Sequence, residues 1–173
     1  MKIRKGTTGD IDEVACLYDA ITDYLEQHMN YPGWRKGIYP TREDAERGIG
    51  EGTLFVAEVE GKIAGTMILR HEPESGYALA DWKTNLEYDE IFVLYTLAVH
   101  PTYLKMGIGR KIMEFVLDYA AECKMKAVRL DVYEKNTPAI HLYESLGFRY
   151  IDTLDLGYSQ FGLDKFRLYQ KLL

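Results

Sequence analysis

Residues 91–110 read IFVLYTLAVHPTYLKMGIGR, and the fold turns on this stretch. Ile91–Val99 is strongly apolar, with Tyr95 and Thr96 inside it, and reads as a strand. Pro101 cannot donate to a ladder and closes it. Gly107-Ile108-Gly109 then opens a helix in which Ile108, Ile112, Phe115, Val116 and Tyr119 share one face. Ala127–Tyr133 is a further strand. Strand, glycine turn, helix, strand makes a βαβ unit, and that crossover forces the two strands to run parallel.

Outward from this centre the signals are those of hairpins and capped helices. Before it, Lys2–Arg4 reads as a short strand and Thr8-Gly9-Asp10 as a turn with a helix N-cap. Ile11, Val14, Tyr18, Ile21 and Leu25 fall on one face of a helix ending near His28. Met29–Tyr39, with Pro32, Gly33 and Gly37, is a loop, and Thr41–Asp44 starts a second short helix. Leu54–Val59 and Lys62–Arg70 form a hairpin across Glu60-Gly61. A polar insert with Trp82 runs from Glu72 to about Asp89. After the centre, a helix from Thr137 to Leu146 carries Pro138 in its first turn and stops at Gly147. Phe148–Leu154 and Lys165–Leu172 complete an antiparallel end. The expected class is α/β (α+β): a mixed, mostly antiparallel twisted sheet around a central parallel βαβ unit, helices on both faces. Nothing reads as a linker, so residues 1–173 are expected to form one domain.

Composition narrows the function. Of 173 residues 47% are apolar and 28% charged, enough to build a core without disulfide staples. The formal charge is −6, which disfavours a general nucleic-acid binder. Cys16 and Cys123 form no CxxC pair and have no His cluster near them in sequence, so no metal site is expected. No run approaches the roughly 20 apolar residues of a membrane span, and no apolar core follows Met1–Lys5. A cytoplasmic protein without a membrane partner is the expectation.

Four places could carry chemistry. Around Lys105, Met106, Gly107, Ile108, Gly109 and Arg110, a helix start offers bare N–H groups and a positive dipole end. Residues 101–129 hold six basic and three acidic side chains in an otherwise acidic chain. A diphosphate suits this turn; so does a plain flexible helix start with a solvated basic face. There is neither a Rossmann fingerprint nor a Walker A loop. Next, Asn136 sits where a parallel strand gives way to a helix, and Tyr143 lies two turns on. Tyr143 could donate a proton, or simply belong to the core face with Ala139, Ile140 and Leu146. Third, the strand around Leu97, Ala98 and Val99 could lend N–H groups to an oxyanion or an amide-bearing ligand, if an edge is open. Last, the acids Glu87, Asp89 and Glu90 could hold an ammonium or pass its proton to water, or form an acidic surface loop. His28, Tyr31, Trp34 and Tyr39 could line an acceptor pocket or plug the core.

In order and spacing these features resemble the GNAT superfamily of N-acetyltransferases. The match runs from Leu97-Ala98-Val99-His100-Pro101 through Gly107-Ile108-Gly109-Arg110 and Leu130-Asp131-Val132 to Asn136, Ala139, Tyr143, Glu144 and Leu146-Gly147-Phe148. The resemblance implies acetyl-CoA as cofactor, its pyrophosphate on residues 105–110 and its pantetheine arm paired with Leu97 and Val99. It implies a pantetheine-side role for Asn136 and proton donation from Tyr143 to the departing thiolate. It implies direct attack by a primary amine of a small molecule or peptide through a tetrahedral intermediate, with the Leu97 N–H holding the oxyanion. Glu90, or Tyr95 through water, is the expected proton acceptor, and a homodimer the expected assembly. Leu104 stands where the family usually has Gln or Arg, and Lys105 where glycine is frequent. That departure keeps open a non-catalytic acyl-CoA-binding or sensing module on the same fold.

Overall fold

The computed structural model describes residues 1–173. In chain order the elements are β1 (Lys2–Lys5), α1 (Ile11–Gln27), α2 (Arg42–Gly50), β2 (Leu54–Val59), β3 (Lys62–Arg70), β4 (Ile91–Val99), α3 (Ile108–Glu122), β5 (Ala127–Tyr133), α4 (Thr137–Ser145), β6 (Arg149–Leu154) and β7 (Phe166–Leu172). The strands form one seven-stranded sheet in the order β1-β2-β3-β4-β5-β7-β6. β4 and β5 are its parallel pair, and β1–β2, β2–β3, β5–β7 and β6–β7 are antiparallel. β7 lies between β5 and β6, so the last strand in sequence is not an edge. The chain packs as two compact units. One holds Met1–Asn30, Trp34–Leu69 and Tyr95–Val116; the other holds Tyr31–Gly33, Arg70–Leu94 and Leu117–Leu173.

In the first unit, local chemistry sets each boundary. The Asp10 carboxylate accepts from the Thr7 amide and hydroxyl at 2.7 and 2.9 Å, closing the turn before α1. Arg4 grips the same carboxylate at 2.7 and 2.9 Å and holds its pKa well below the usual range. At α2, Asp44 accepts from the Thr41 amide at 2.8 Å. Glu60 and Gly61 both take positive φ, 50° and 76°, as a two-residue hairpin between twisted strands requires. Val14, Leu17, Tyr18 and Ile21 of α1 meet Ala45 and Ile49 of α2, with Leu54, Val56 and Ile63 of the hairpin, in one core. Gly65 is needed on β3: a Cβ there would stand 2.7 Å from the Ala98 carbonyl oxygen and 2.9 Å from Ile112.

In the second unit, β5 pairs with β7 along all seven of its residues, Ala127↔Leu172 to Tyr133↔Phe166. Its ladder with β4 is shorter, Ile91↔Ala127 to Leu94↔Leu130. The insert is not empty loop: Tyr77 and Trp82 are buried, and the Trp82 indole donates to the Tyr77 carbonyl at 2.9 Å. Arg129 lies over the Trp82 ring, 4.2 Å from its centroid.

The buried stripe of α3 is rotated from the sequence expectation. Ile108, Ile112 and Val116 are buried as expected, joined by Met113 and Ala120. Phe115 and Tyr119 are half-buried on its flanks, against Phe55 and Phe92 respectively. Large rings reach across from the edge of a stripe whose centre is filled by smaller residues.

Candidate active site

The first unit carries the turn into α3. Pro101–Tyr103 forms a short 3-10 turn, with the Tyr103 amide on the His100 carbonyl at 2.9 Å. Lys105 and Gly107 then take the left-handed conformation, φ 62° and 76°. The Lys111 amide makes the first bond across the helix start, to the Gly107 carbonyl at 3.1 Å. The amides of Gly107, Ile108 and Gly109 therefore stand outside the helical ladder. Ile108 is buried and pins the turn, while Lys105, Met106, Gly107 and Arg110 are exposed. The Met106 amide is turned back to the Tyr103 carbonyl at 3.4 Å. Bare N–H groups, a left-handed lysine and the positive end of a fifteen-residue helix suit a diphosphate.

β4 is kinked just upstream. Thr96 has a φ of 47°, costly for a β-branched residue inside a strand. Its hydroxyl is bonded to the Tyr39 hydroxyl, which holds the kink from the early loop. Beyond it, Leu97 and Val99 are half-buried and Ala98 fully buried.

The second unit carries the groups able to move protons. Tyr143 is 6% exposed. Its backbone is fixed where α4 stops: the Leu146 and Phe148 amides both donate to its carbonyl at 3.1 Å, and Gly147 takes φ 83°. No side chain bonds its hydroxyl. Burial pushes its pKa well up, and the charge of Asp131 adds to the effect. Asn136 caps α4, its Oδ1 accepting from the Ala139 amide at 3.4 Å.

Asp131 is a titratable side chain to which the sequence assigned no role. It is the first residue of β5 beyond the last pair with β4. The Tyr77 hydroxyl donates to its Oδ1 at 2.7 Å. Burial raises its pKa to about 6, partly offset by that bond, and nearby Glu74 raises it further. The signal was available: an acid between the apolar Leu130 and Val132 of a strand.

Other predicted residues are employed differently. Glu90 precedes β4, seven residues before Leu97. Its carboxylate accepts from the Glu87 amide at 2.9 Å and pairs with the Lys126 ammonium. Lys126 foremost, and then that amide, lower its pKa. A carboxylate so paired serves as a turn cap. The proposed acceptor set is not gathered in one unit: His28 and Trp34 belong to the first and Tyr31 to the second. His28 is exposed at the end of α1 and stacks on Tyr24 at 3.8 Å. Trp34 and Tyr95 pack against the core of the first unit. Among His, Cys, Asp and Glu, no group of three could hold a metal ion. No helix is long and apolar enough to cross a membrane.

A mixed sheet with one parallel βαβ crossover and a bare-amide turn after the first parallel strand defines an acyl-CoA N-acyltransferase fold. The sequence model of the acetyltransferase (GNAT) family matches residues 17–148, and the chain belongs to that family. Over 160 residues it is 30% identical to the UPF0157 protein YqkA of Bacillus subtilis, covering 92% of this chain and 34% of that one. It is 28% identical over 118 residues to the L-amino acid N-acyltransferase MnaT of Escherichia coli, covering 60% and 68% of the two chains. The structure of yncA from Salmonella typhimurium with its cofactor acetyl-CoA superposes with a TM-score of 0.69, at 19% identity, over 99% of this chain and 93% of that one. The chain spans about a third of the length of YqkA.

Proposed function

We propose that the protein is an acetyl-CoA-dependent N-acetyltransferase acting on a primary amine of a small molecule or peptide. Acetyl-CoA supplies the activated acyl group as a thioester. The bare amides of Gly107, Ile108 and Gly109, with Lys105, Met106 and Arg110, hold its diphosphate. Leu97, Ala98 and Val99 offer strand backbone to the pantetheine amides, and the Leu97 N–H stabilises the developing oxyanion. Asn136 serves the same arm. Tyr143 donates its hydroxyl proton to the departing sulfur. Asp131 takes the proton from the incoming ammonium: burial raises its pKa to about 6, toward the range that suits a general base at pH 7.

One observation carries this reading. Tyr143 is an ionisable hydroxyl in a nine-tenths-buried side chain with no partner in the chain. A core tyrosine normally finds a partner for its hydroxyl. The test is a thermal shift with acetyl-CoA, CoA, ATP and NAD in parallel, followed by thiol detection across an amine panel. Stabilisation by the two CoA species alone is expected, roughly 2.7 kcal/mol at 100 times the dissociation constant, together with amine-dependent CoA release. Binding without release from any amine points instead to an acyl-CoA sensor. No binding at millimolar acetyl-CoA removes both.

A further inference from the structure

Within the second unit, two carboxylates and three tyrosines converge. Asp131 projects from β5 just beyond the parallel ladder, bonded at 2.7 Å to Tyr77. Tyr77 is 2% exposed and locked by Trp82, whose indole donates to its carbonyl and whose ring lies 5.1 Å away. The negative charge of Glu74 acts on both Asp131 and Tyr158. The segments carrying these acids and hydroxyls are closely packed: a Cβ on Gly76 would lie 2.7 Å from the Leu156 side chain. Tyr143 completes the group: its side chain is buried, its hydroxyl has no partner in the chain, and the charge of Asp131 acts on it.

No cation balances this cluster. Asp131 forms no salt bridge, and the one charged side chain acting on it is another acid. Arg129, two residues earlier on the same face of β5, is committed elsewhere. Its guanidinium lies over Trp82 and donates to Gln170 at 2.9 Å and to Thr84 at 3.2 Å. Two carboxylates left uncompensated beside a buried hydroxyl are an unusual expense, since like charges raise each other's cost. A positive ligand removes it. The donor set is too small for a metal, because no third His, Cys, Asp or Glu joins the pair. Tyrosine rings and hydroxyls suit an alkylammonium, which they can face and hydrogen-bond.

We propose that Asp131, Glu74, Tyr77 and Tyr158 form the acceptor pocket, and that it selects an aliphatic amine carrying a second positive charge and no carboxylate beside the reacting nitrogen. This rests on the transferase reading for the role of Tyr143 and adds to it the class of acceptor. Asp131 receives the reacting ammonium and Glu74 the second cation. Asp131 removes one proton from R–NH3+, leaving R–NH2 and a neutral carboxylic acid. The amine nitrogen then bonds to the acyl carbon and the carbonyl opens to a tetrahedral oxyanion; as the carbonyl re-forms the carbon–sulfur bond breaks, and the sulfur takes the Tyr143 proton. The nitrogen's surplus proton returns to the phenolate through solvent, and Asp131 releases its own to solvent. An α-amino acid would bring its carboxylate against two others, which separates this pocket from the acceptor class in the name of MnaT.

Binding and turnover are measured together. At pH 8 the protein is titrated calorimetrically with 1,4-diaminobutane, n-butylamine and L-leucine, with and without acetyl-CoA, and CoA release is followed for the same amines. The diamine is expected to bind at least tenfold more tightly than L-leucine and severalfold more tightly than n-butylamine. Glu74→Gln is expected to shrink the advantage of the diamine over n-butylamine, and Asp131→Asn to weaken both. Equal affinity for the three amines, a preference for L-leucine, or an unchanged diamine advantage in Glu74→Gln overturns the proposal. Diamine binding with no CoA release from any amine would leave the cation pocket standing and sink the transferase reading. CoA release indifferent to acceptor charge would do the reverse, so the two failures are distinguishable.

Discussion

α3 and α4 each follow a strand of the parallel pair, and they begin in opposite ways. α4 is closed by its own sequence: Asn136 accepts from the Ala139 amide and Pro138 removes one donor from the first turn. α3 is left open: Lys105 and Gly107 bend the chain into the left-handed region, and the amides of Gly107, Ile108 and Gly109 stand outside the helical ladder. A capped start stabilises the chain by itself. An uncapped one leaves donors for something else, and in this chain the open start is the one rich in lysine and arginine. The contrast extends along the helices, since what α4 brings to the proposed reaction is the side chain of Tyr143, buried two turns in, whereas α3 offers backbone.

If that division holds, the largest single effect comes from Tyr143. Tyr143→Phe should lower kcat about 100-fold or more, the range for losing a positioned acid. The dissociation constant for acetyl-CoA should stay within about twofold, because the phosphate contacts lie on α3. Thermal stability should hold, since the hydroxyl removed makes no bond in the chain. Full turnover in that variant would return Tyr143 to the core. Next in size is a stability effect at Asp131. Its folded pKa, about 6, is above the ordinary carboxylate value of 3.8, so the fold disfavours its ionised form. That penalty is fully present above pH 6 and fades as pH falls through 6 toward 4. Asp131→Asn, whose side chain can still accept from Tyr77, should therefore be more stable than the native chain at pH 8, by up to about 3 kcal/mol. Near pH 4 the two should unfold alike, as denaturant melts at the two pH values would show.

Much of this frame is written locally in the chain. Pro101, Gly147 and the Glu60-Gly61 pair punctuate strands and helices by covalent geometry, and each ends or turns the element the sequence assigns it. The βαβ centre follows from an apolar strand on each side of one amphipathic helix. The place of β7 between β5 and β6 is not local, because it depends on which edge of β5 is available once β4 is paired. Side-chain roles divide the same way. The open turn at 105–110 is legible because its glycines serve backbone conformation. The pairing of Glu90 was not legible, because position before a strand says nothing of partners, and Lys126, distant in sequence, pairs with its carboxylate. Asp131 drew no role because its raised pKa comes first from burial, which local sequence does not show.

Smaller changes test the open helix start. A Cβ on Gly107 would meet nothing within 4 Å, so Gly107→Ala adds no clash and acts through its φ of 76° alone. Holding alanine in that region costs about 1 kcal/mol. If acetyl-CoA needs that conformation, its KM should rise about fivefold with kcat little changed. An unchanged KM would mean that the phosphates do not use this turn.

The closed start makes the finest distinction, because Asn136 has two functional atoms. Its Oδ1 caps α4, and its Nδ2 is the donor that a pantetheine carbonyl would need. Asn136→Ala removes both, so it should lower stability by about 1 kcal/mol and weaken acetyl-CoA binding together. Asn136→Asp separates them. The carboxylate still accepts from the Ala139 amide, and a negative charge at a helix N-terminus is favourable, so the melting temperature should stay near that of the native chain. The donor is gone, and KM for acetyl-CoA should rise about threefold, close to the ~0.5–1.5 kcal/mol of one hydrogen bond. If Asn136→Asp instead leaves both quantities unchanged, Asn136 is a cap and nothing more. α4 would then contribute only Tyr143 to the chemistry, and binding would fall wholly to the open helix and its strand.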